Sequence, residues 1–459
     1  MAPHSFDPSI LREYDIRGIV GETLGEEDAR VLGRVFATWL ARQDGSSVMV
    51  GRDGRVTSQA LEDALVAGLV AGGMQVTRIG LGPTPMLYYA TVSTGAAGGI
   101  MVTGSHNPPE HNGFKIMAFG RAFYGDDIQL MGKMAAAADV ADGAGSTGEQ
   151  SFLEAYVDRV AADYDGGDGL SVAWDAGNGS AGEAMARLTA KLPGHHVLLN
   201  ETIDGAFPNH HPDPTVPENL AQLQERVAAE RLDLGFAFDG DGDRIGAIDE
   251  KGRILWGDQM IALLARGVLA KQPGATIIAD VKASQVLFDE VARLGGVPLM
   301  WKTGHSLIKS KMAETNAPLA GEMSGHIFFA DRYFGYDDAL YAAVRLLSVV
   351  AASGRSLGQL RDELPETVST PELRFPCGDT RKFEVVEEVA ARLRKAGADV
   401  ADCDGVRVMT SDGWWLLRAS NTQDVLVARC ESADTAGLDR LKAALVAELE
   451  QSGVEPPEF

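Results

Sequence analysis

Short apolar runs alternate with amphipathic segments through most of the chain. Residues 48–50 and 74–81 form apolar runs of strand length, and residues 59–71 between them have the spacing of an amphipathic helix. The same order of strand, helix and strand recurs at 171–238 and at 277–301. Strands that alternate with helices in this way are typical of α/β domains.

The pattern changes after about residue 365. Four strand-like runs and two helix-like segments follow, in the order 373–376, 383–395, 406–409, 414–417, 425–428 and 438–449. Strands that succeed one another between two helices indicate a smaller α+β domain. We therefore predict an α/β protein of three similar mixed α/β domains followed by a smaller α+β domain, with bounds at 1–150, 151–253, 254–365 and 366–459.

Charge and cysteine content narrow the possible function classes. The 459 residues include 41 basic and 65 acidic ones, a net charge of −24, which argues against nucleic acid and anionic membranes as partners. Cys377, Cys403 and Cys430 are odd in number and widely spaced. This pattern favours reduced thiols in a cytosolic protein. Because the N-terminal segment has no secretion-signal pattern and Arg266 interrupts the longest apolar stretch, we expect a cytoplasmic protein without a membrane span.

A serine follows one of the predicted buried strands. Residues 103–108 read Thr-Gly-Ser-His-Asn-Pro and come directly after the apolar run 99–102. Ser105 is therefore expected at the carboxyl end of a strand, where open α/β sheets bind ligands. A serine that caps local backbone is the simpler interpretation of this residue alone. His106 beside it and the polar loops described next favour a nucleophile instead.

Three carboxylates follow another apolar run. Asp239, Asp241 and Asp243 alternate with glycines, and hard oxygen ligands of this kind suit Mg²⁺. A nucleophilic serine together with Mg²⁺ suggests phosphoryl transfer. An EF-hand is one alternative, although Arg244 stands where its turn needs glycine and strand-like runs flank the loop. A phosphatase of the haloacid dehalogenase type, with Asp239 as nucleophile, is another, although its signature has threonine at the position of Asp243.

Two further polar loops have binding chemistry. In residues 321–326, Glu322 and Ser324 are suited to sugar hydroxyls, and His326 is able to move protons. The loop between the last two predicted strands offers a guanidinium, hydroxyls and an amide to a phosphate, from Arg418, Ser420, Asn421 and Thr422.

With these loops in this order, the chain resembles the α-D-phosphohexomutase family from end to end, most closely its bacterial phosphomannomutase/phosphoglucomutase branch. The segments that carry the resemblance are 14–18, 103–108, 112–115, 239–244, 302–306, 321–326 and 418–422. The resemblance implies four domains around a central active-site cleft, which supply in turn a phosphoserine loop, a metal loop, a sugar loop and a phosphate loop. It also implies an enzyme of carbohydrate metabolism, and we expect a monomer or weak dimer that binds small sugar phosphates.

The resemblance implies roles for matching positions. Ser105 would carry the phosphoryl group, and Asp239, Asp241 and Asp243 would hold Mg²⁺ against it. The other catalytic residues implied are Arg17, His106, Lys115, Arg244 and His326. The substrate-binding residues implied are Tyr14, Lys282, His305, Glu322, Ser324, Arg418, Ser420, Asn421 and Thr422.

The implied reaction is a reversible phosphoryl transfer between the 1 and 6 positions of a mannose or glucose phosphate. Phosphorylated Ser105 would form a 1,6-bisphosphate that reorients in the cleft, and glucose or mannose 1,6-bisphosphate would activate the enzyme. Reorientation needs room, so we expect a hinge near Pro365. Met323 resembles the branch that accepts mannose and glucose phosphates, and a phosphoglucosamine mutase is the alternative within the family.

The chain departs from the family in one loop. The family usually follows Ser-Asn-Thr with a small or acidic residue and then proline, whereas this chain has Gln423 and Asp424. The departure removes a rigid φ angle and is expected to add a carboxylate near the anchored phosphate.

Overall fold

The computed structural model describes residues 2–421 and 423–459, so Thr422, predicted to bind phosphate, lies outside the described residues. The first domain is built on a seven-stranded sheet. After a 3-10 helix (Pro8–Ile10) its elements are β1 (Ile16–Ile19), α1 (Glu26–Ala41), β2 (Ser47–Arg52), α2 (Ser58–Ala71), β3 (Gln75–Leu81), α3 (Thr84–Thr94), β4 (Gly98–Val102), β5 (His111–Ala118), β6 (Arg121–Ala122), α4 (Asp126–Ala136) and β7 (Ser146–Glu149).

The second and third domains each have a five-stranded sheet. The second contains α5 (Leu153–Ala161), β8 (Leu170–Asp175), α6 (Gly182–Thr189), β9 (Gly194–Leu199), a 3-10 helix (Pro217–Leu220), α7 (Ala221–Glu230), β10 (Leu234–Phe238), β11 (Ile245–Asp249) and β12 (Ile254–Leu255). The third contains α8 (Gly257–Lys271), β13 (Thr276–Asp280), α9 (Gln285–Arg293), β14 (Val297–Trp301), α10 (His305–Thr315), β15 (Leu319–Gly321), β16 (Ile327–Phe329), β17 (Tyr336–Asp337), α11 (Ala339–Ser353) and α12 (Leu357–Arg361).

These three sheets share one plan. In each, three parallel strands are followed by two antiparallel ones, in the orders β3-β2-β4-β5-β1, β9-β8-β10-β11-β12 and β14-β13-β15-β16-β17. The central parallel strands are buried on both faces because helices cover them, which explains their continuous apolar sequences. The loop that joins the last parallel strand to the first antiparallel one is the serine loop, the aspartate loop or the 321–326 loop. Equivalent positions in three domains therefore hold the three predicted loops.

The fourth domain is a six-stranded antiparallel sheet covered by two helices. Its elements are β18 (Val368–Ser369), β19 (Leu373–Pro376), α13 (Asp379–Ala396), β20 (Asp399–Ala401), β21 (Val406–Thr410), β22 (Gly413–Ala419), β23 (Val425–Ser432) and α14 (Thr435–Gln451). Side chains alternate across its strands. Trp415 packs in the core with the helices, whereas Trp414 packs against Val281 of the third domain.

The predicted fold class is confirmed, and the predicted bounds between domains stay predictions. Residues 141–150 contain the edge strand β7, and residues 252–257 contain β12. The three cysteines are free thiols. Among the described residues, helices of sufficient length and apolarity to cross a bilayer are absent.

Candidate active site

Ser105 lies in a strained turn at the end of β4. Its φ angle of 50° is left-handed, which costs energy for a residue other than glycine, and its backbone N–H donates to the Thr103 hydroxyl at 2.8 Å. The Ser105 hydroxyl donates to Asp239 Oδ2 at 2.9 Å and lies 3.3 Å from His106 Nδ1. The turn thus presents the serine oxygen directly to the aspartate loop.

Arg55, which the sequence analysis did not identify, is hydrogen-bonded to the backbone of this turn. Its guanidinium donates to the Ser105 and Asn107 carbonyls at 2.7 and 2.6 Å, and to the Pro108 and His111 carbonyls at 2.5 and 2.9 Å. A Cβ on Gly104 would lie 2.5 Å from the Arg55 Cζ, so the turn needs glycine there. A basic residue just after β2 was a possible signal, because β2 and β4 are parallel neighbours whose carboxyl ends meet.

The aspartate loop is a hairpin between β10 and β11, so the helices of an EF-hand are absent from both sides of this described segment. Asp239 Oδ1 accepts the backbone N–H groups of Asp243 and Arg244, both at 3.1 Å. Asp241 Oδ2 accepts from the Thr84 hydroxyl at 2.5 Å and from Lys115 Nζ at 2.7 Å. Lys115 also donates to Asp243 Oδ2.

The three carboxylates are fully buried, and their mutual repulsion shapes their titration. Burial and the charges of Asp241 and Asp243 raise the pKa of Asp239 well above its ordinary range. Burial also raises the pKa of Asp241, but the ammonium of Lys115 outweighs it and holds that pKa below its ordinary range. Lys115 pairs with Asp241 and Asp243, and the charge of Arg244 acts on Asp239. Two cations do not neutralise three carboxylates, so the site favours a further cation.

The donor set fits a hard divalent cation. The Oδ1 atoms of Asp241 and Asp243 are buried acceptors without a hydrogen-bond partner among the described residues. All three aspartates offer oxygens within 4.8 Å of one another. Oxygen ligands of this kind suit Mg²⁺ better than soft transition metals.

The 321–326 loop is joined to the aspartate loop. Ile245 N–H donates to the Gly325 carbonyl at 3.0 Å, and a Cβ on Gly325 would lie 2.4 Å from the Ile245 carbonyl. Arg244 Nε donates to His326 Nε2 at 2.9 Å, and His326 Nδ1 lies 2.9 Å from a carboxylate oxygen of buried Asp337. Asp337, at the end of β17, is a second residue that sequence reasoning missed, since only the fold brings it to the histidine.

Residues predicted to bind the substrate come together from different domains. Glu322 accepts the Gly304 N–H at 2.6 Å. Tyr14 donates from its hydroxyl to the Thr303 carbonyl at 2.8 Å, and Asn421 donates to the same hydroxyl at 2.8 Å. These contacts bring residues of the first, third and fourth domains together.

Cations around the cleft are paired with carboxylates. Arg17 pairs with Asp15 and donates to Asn107 Oδ1 at 2.6 Å. Arg418 Nε donates to Asp404 at 3.0 Å. Lys282 pairs with Glu372 at 2.8 Å.

The sequence predicted that Asp424 would add a carboxylate near the anchored phosphate, and the structure corrects this prediction. The Asp424 side chain is 71% exposed, and its carboxylate lies 3.6 Å from Lys382 Nζ. Gln423 lines the cleft instead.

One cavity of about 220 Å³ unites the predicted site. The predicted residues that line it are Tyr14, Arg17, Ser105, His106, Lys115, Arg244, Lys282, His305, Glu322, Ser324, His326, Arg418, Ser420 and Asn421. Burial and the surrounding cations, chiefly Arg244, lower the pKa of His106 well below its usual range, and burial likewise lowers that of His305. The three predicted metal ligands do not line the cavity: they are buried, and Asp239 reaches it through its hydrogen bond with Ser105. A serine and a ring of cations in one cleft, with a carboxylate trio in contact with the serine, are the groups that phosphoryl transfer requires.

Comparison with known proteins gives the family. Models described as phosphoglucomutase/phosphomannomutase alpha/beta/alpha domains I, II and III match residues 8–140, 150–252 and 256–368, and the C-terminal domain model matches 372–448. A phosphomannomutase/phosphoglucomutase of Pseudomonas aeruginosa is 43% identical over 434 residues (95% of this chain and 94% of that protein). A phosphoglucomutase of Neisseria gonorrhoeae is 40% identical over 452 residues (98% of each).

A solved structure is similarly close. A phosphoglucomutase/phosphomannomutase family protein from Burkholderia thailandensis superposes with a TM-score of 0.94 at 42% identity, covering 99% of this chain and 100% of that one. The chain therefore belongs to the phosphoglucomutase/phosphomannomutase family, a family of isomerases that are intramolecular phosphotransferases.

Proposed function

We propose that the enzyme interconverts the 1- and 6-phosphates of mannose or glucose through a phosphoserine at Ser105. The observation that carries this proposal is the 2.9 Å hydrogen bond from the Ser105 hydroxyl to Asp239, at the meeting point of loops from four domains. The relatives named phosphomannomutase/phosphoglucomutase and phosphoglucomutase support the same reaction.

Each half of the reaction moves one phosphoryl group. A sugar hydroxyl oxygen attacks the phosphorus of phosphoserine 105, and the bond from phosphorus to Ser105 Oγ breaks. The proton of the sugar hydroxyl ends on Ser105 Oγ, which becomes the free serine hydroxyl. The sugar becomes a 1,6-bisphosphate, and the reverse transfer from its other end restores the phosphoserine. Glucose or mannose 1,6-bisphosphate would activate an unphosphorylated enzyme by the same transfer.

Electrostatics supply most of the catalysis in this scheme, because the charge of a loose transition state spreads over the equatorial oxygens of the phosphoryl group. Arg17, Lys115 and Arg244 line the same cavity as Ser105 and would oppose that charge. Mg²⁺ held by Asp239, Asp241, Asp243 and Ser105 would add positive charge at the serine oxygen.

The remaining loops would hold the sugar. Glu322 and Ser324 bind its hydroxyls, while Arg418, Ser420 and Asn421 anchor whichever phosphate is not reacting. Recognition through O3 and O4 would accept mannose and glucose alike, since these sugars differ at C2. We also infer that the enzyme works in the cytoplasm, as a monomer or weak dimer, and that its fourth domain moves about a hinge near Pro365 as the bisphosphate turns.

The test combines mass spectrometry with activity. After incubation with glucose 1,6-bisphosphate, peptide mapping should find one phosphoryl group on Ser105, and a coupled assay should detect glucose 6-phosphate formed from glucose 1-phosphate. Ser105→Ala should lower turnover by about 1,000-fold or more. The matched control is Ser348→Ala, since Ser348 is a buried serine of α11 that donates to the Val344 carbonyl.

Other outcomes select other functions. Phosphate on Asp239 with release of inorganic phosphate would identify a phosphatase, and no phosphorylation at all would indicate a sugar-phosphate binding protein. Turnover of mannose, glucose and glucosamine 1-phosphates would distinguish the proposed substrates from those of a phosphoglucosamine mutase.

A further inference from the structure

Arg374 lines the active-site cleft although it lies outside every motif of the sequence. It lies in β19, directly opposite Val427 of β23, and Arg418 of β22 is opposite the same Val427 from the other side. Directly opposed residues of antiparallel strands share a face of the sheet, and Val427 also lines the cleft. Two strand spacings separate the two arginine Cα atoms by about 10 Å, so the two side chains can serve neighbouring positions in the cleft.

A hydrogen bond joins Arg374 to the end of the phosphate loop. Arg374 Nη1 donates to Gln423 Oε1 at 2.8 Å. The Arg374 side chain is 51% exposed, so a ligand can reach it. The hydrogen bond therefore holds a second guanidinium beside the loop that contains Arg418.

A carboxylate presently occupies this second guanidinium. Glu372 Oε1 accepts from Arg374 Nε at 2.9 Å and from another guanidinium nitrogen at 2.6 Å, while Glu372 Oε2 accepts from Lys282 Nζ at 2.8 Å. Lys282 comes from the third domain and also lines the cleft. Glu372 thus places two anionic oxygens between two cations, as a phosphate bound there would.

Resting on the proposed function, we propose that Arg374 and Lys282 form a further phosphate subsite of this enzyme, in which Glu372 is a counter-anion that a sugar phosphate displaces. The exchange has a physical reason. Buried or half-buried cations are costly without an anionic partner, so Glu372 stabilises them when a phosphate leaves. A phosphate of the bisphosphate can then move between the Arg418 loop and the Arg374 subsite without either set of cations being left unpaired.

The test measures binding of glucose 1-phosphate and of inorganic phosphate by calorimetry. Arg374→Gln should raise the dissociation constant about tenfold, and this loss should shrink at high salt because the contact is half exposed. Glu372→Gln should act in the opposite direction and lower the dissociation constant for inorganic phosphate. The control is Arg394→Gln, since Arg394 is a 52% exposed arginine of α13 paired with Asp402.

Several results would overturn the subsite. Arg374→Gln binding within about twofold of the Arg394→Gln control would remove Arg374 from phosphate recognition. Weaker phosphate binding in Glu372→Gln would show that Glu372 only positions Lys282. If Glu372→Gln does not fold, the comparison of Arg374→Gln with Arg394→Gln still tests the subsite. Mutase activity of the wild type, assayed in parallel, separates the two proposals. Its absence would refute the proposed function. Normal turnover together with unchanged phosphate binding by Arg374→Gln would refute the subsite alone.

Discussion

Replacement of Arg55 by lysine tests how strictly the fold must hold the Ser105 turn. The arginine donates to four backbone carbonyls of the serine loop, between Ser105 and His111. Nη1 serves two of these carbonyls and Nη2 the other two, so one lysine nitrogen in place of either leaves two carbonyls without a donor. Each buried carbonyl left without a donor costs about 1–3 kcal/mol. Two unpaired carbonyls therefore cost roughly 2–6 kcal/mol, and we expect the strained turn to relax rather than bear that cost.

A displaced turn should affect the chemistry more than binding. A shift of about 1 Å in a reacting atom lowers a rate by about 100-fold, so kcat should fall by that factor. The KM for glucose 1-phosphate should stay within about threefold, because the sugar and phosphate contacts lie in other loops.

The assay couples formation of glucose 6-phosphate to a dehydrogenase, with thermal unfolding measured in parallel. Arg52→Lys is the matched control, since Arg52 ends β2, just before Arg55, but pairs with Glu62 at 3.1 Å. If Arg55→Lys keeps the kcat of this control, the carbonyl contacts do not set the position of the serine and the reasoning fails.

Two further predictions concern titration and metal. Burial raises the pKa of the Asp338 carboxyl to about 7, so its contribution to stability is present below its ordinary value of 3.8 and is lost as the pH rises toward 7. The free energy of unfolding of Asp338→Asn, measured in urea relative to that of the wild type, should therefore rise by roughly 4 kcal/mol between about pH 4 and pH 8. A difference that does not depend on pH would contradict the assignment. Chelation of divalent cations should abolish turnover, with Mg²⁺ restoring it far better than Ca²⁺, which prefers more ligands; undiminished turnover after chelation would rule out a working metal site.

The local elements and the class of chemistry follow from the amino-acid pattern alone. Buried strands such as β4 and β10 are continuous apolar runs because helices cover both faces of each sheet, so they are visible without coordinates. Glycines and alternating aspartates mark the loops, since turns and metal ligands require those residue types. Ser105, Asp239 and Glu322 were therefore identifiable as candidates.

Which side chains contact one another depends on the fold. Arg55, Asp337, Glu372 and Arg374 stand in no motif, and each acts on a residue that is distant in the chain or in a neighbouring strand. Their contacts depend on strand register and on how four domains pack, and a local pattern contains neither. The physical reason is that periodicity reports which face of an element is buried, whereas a functional site depends on distances between elements.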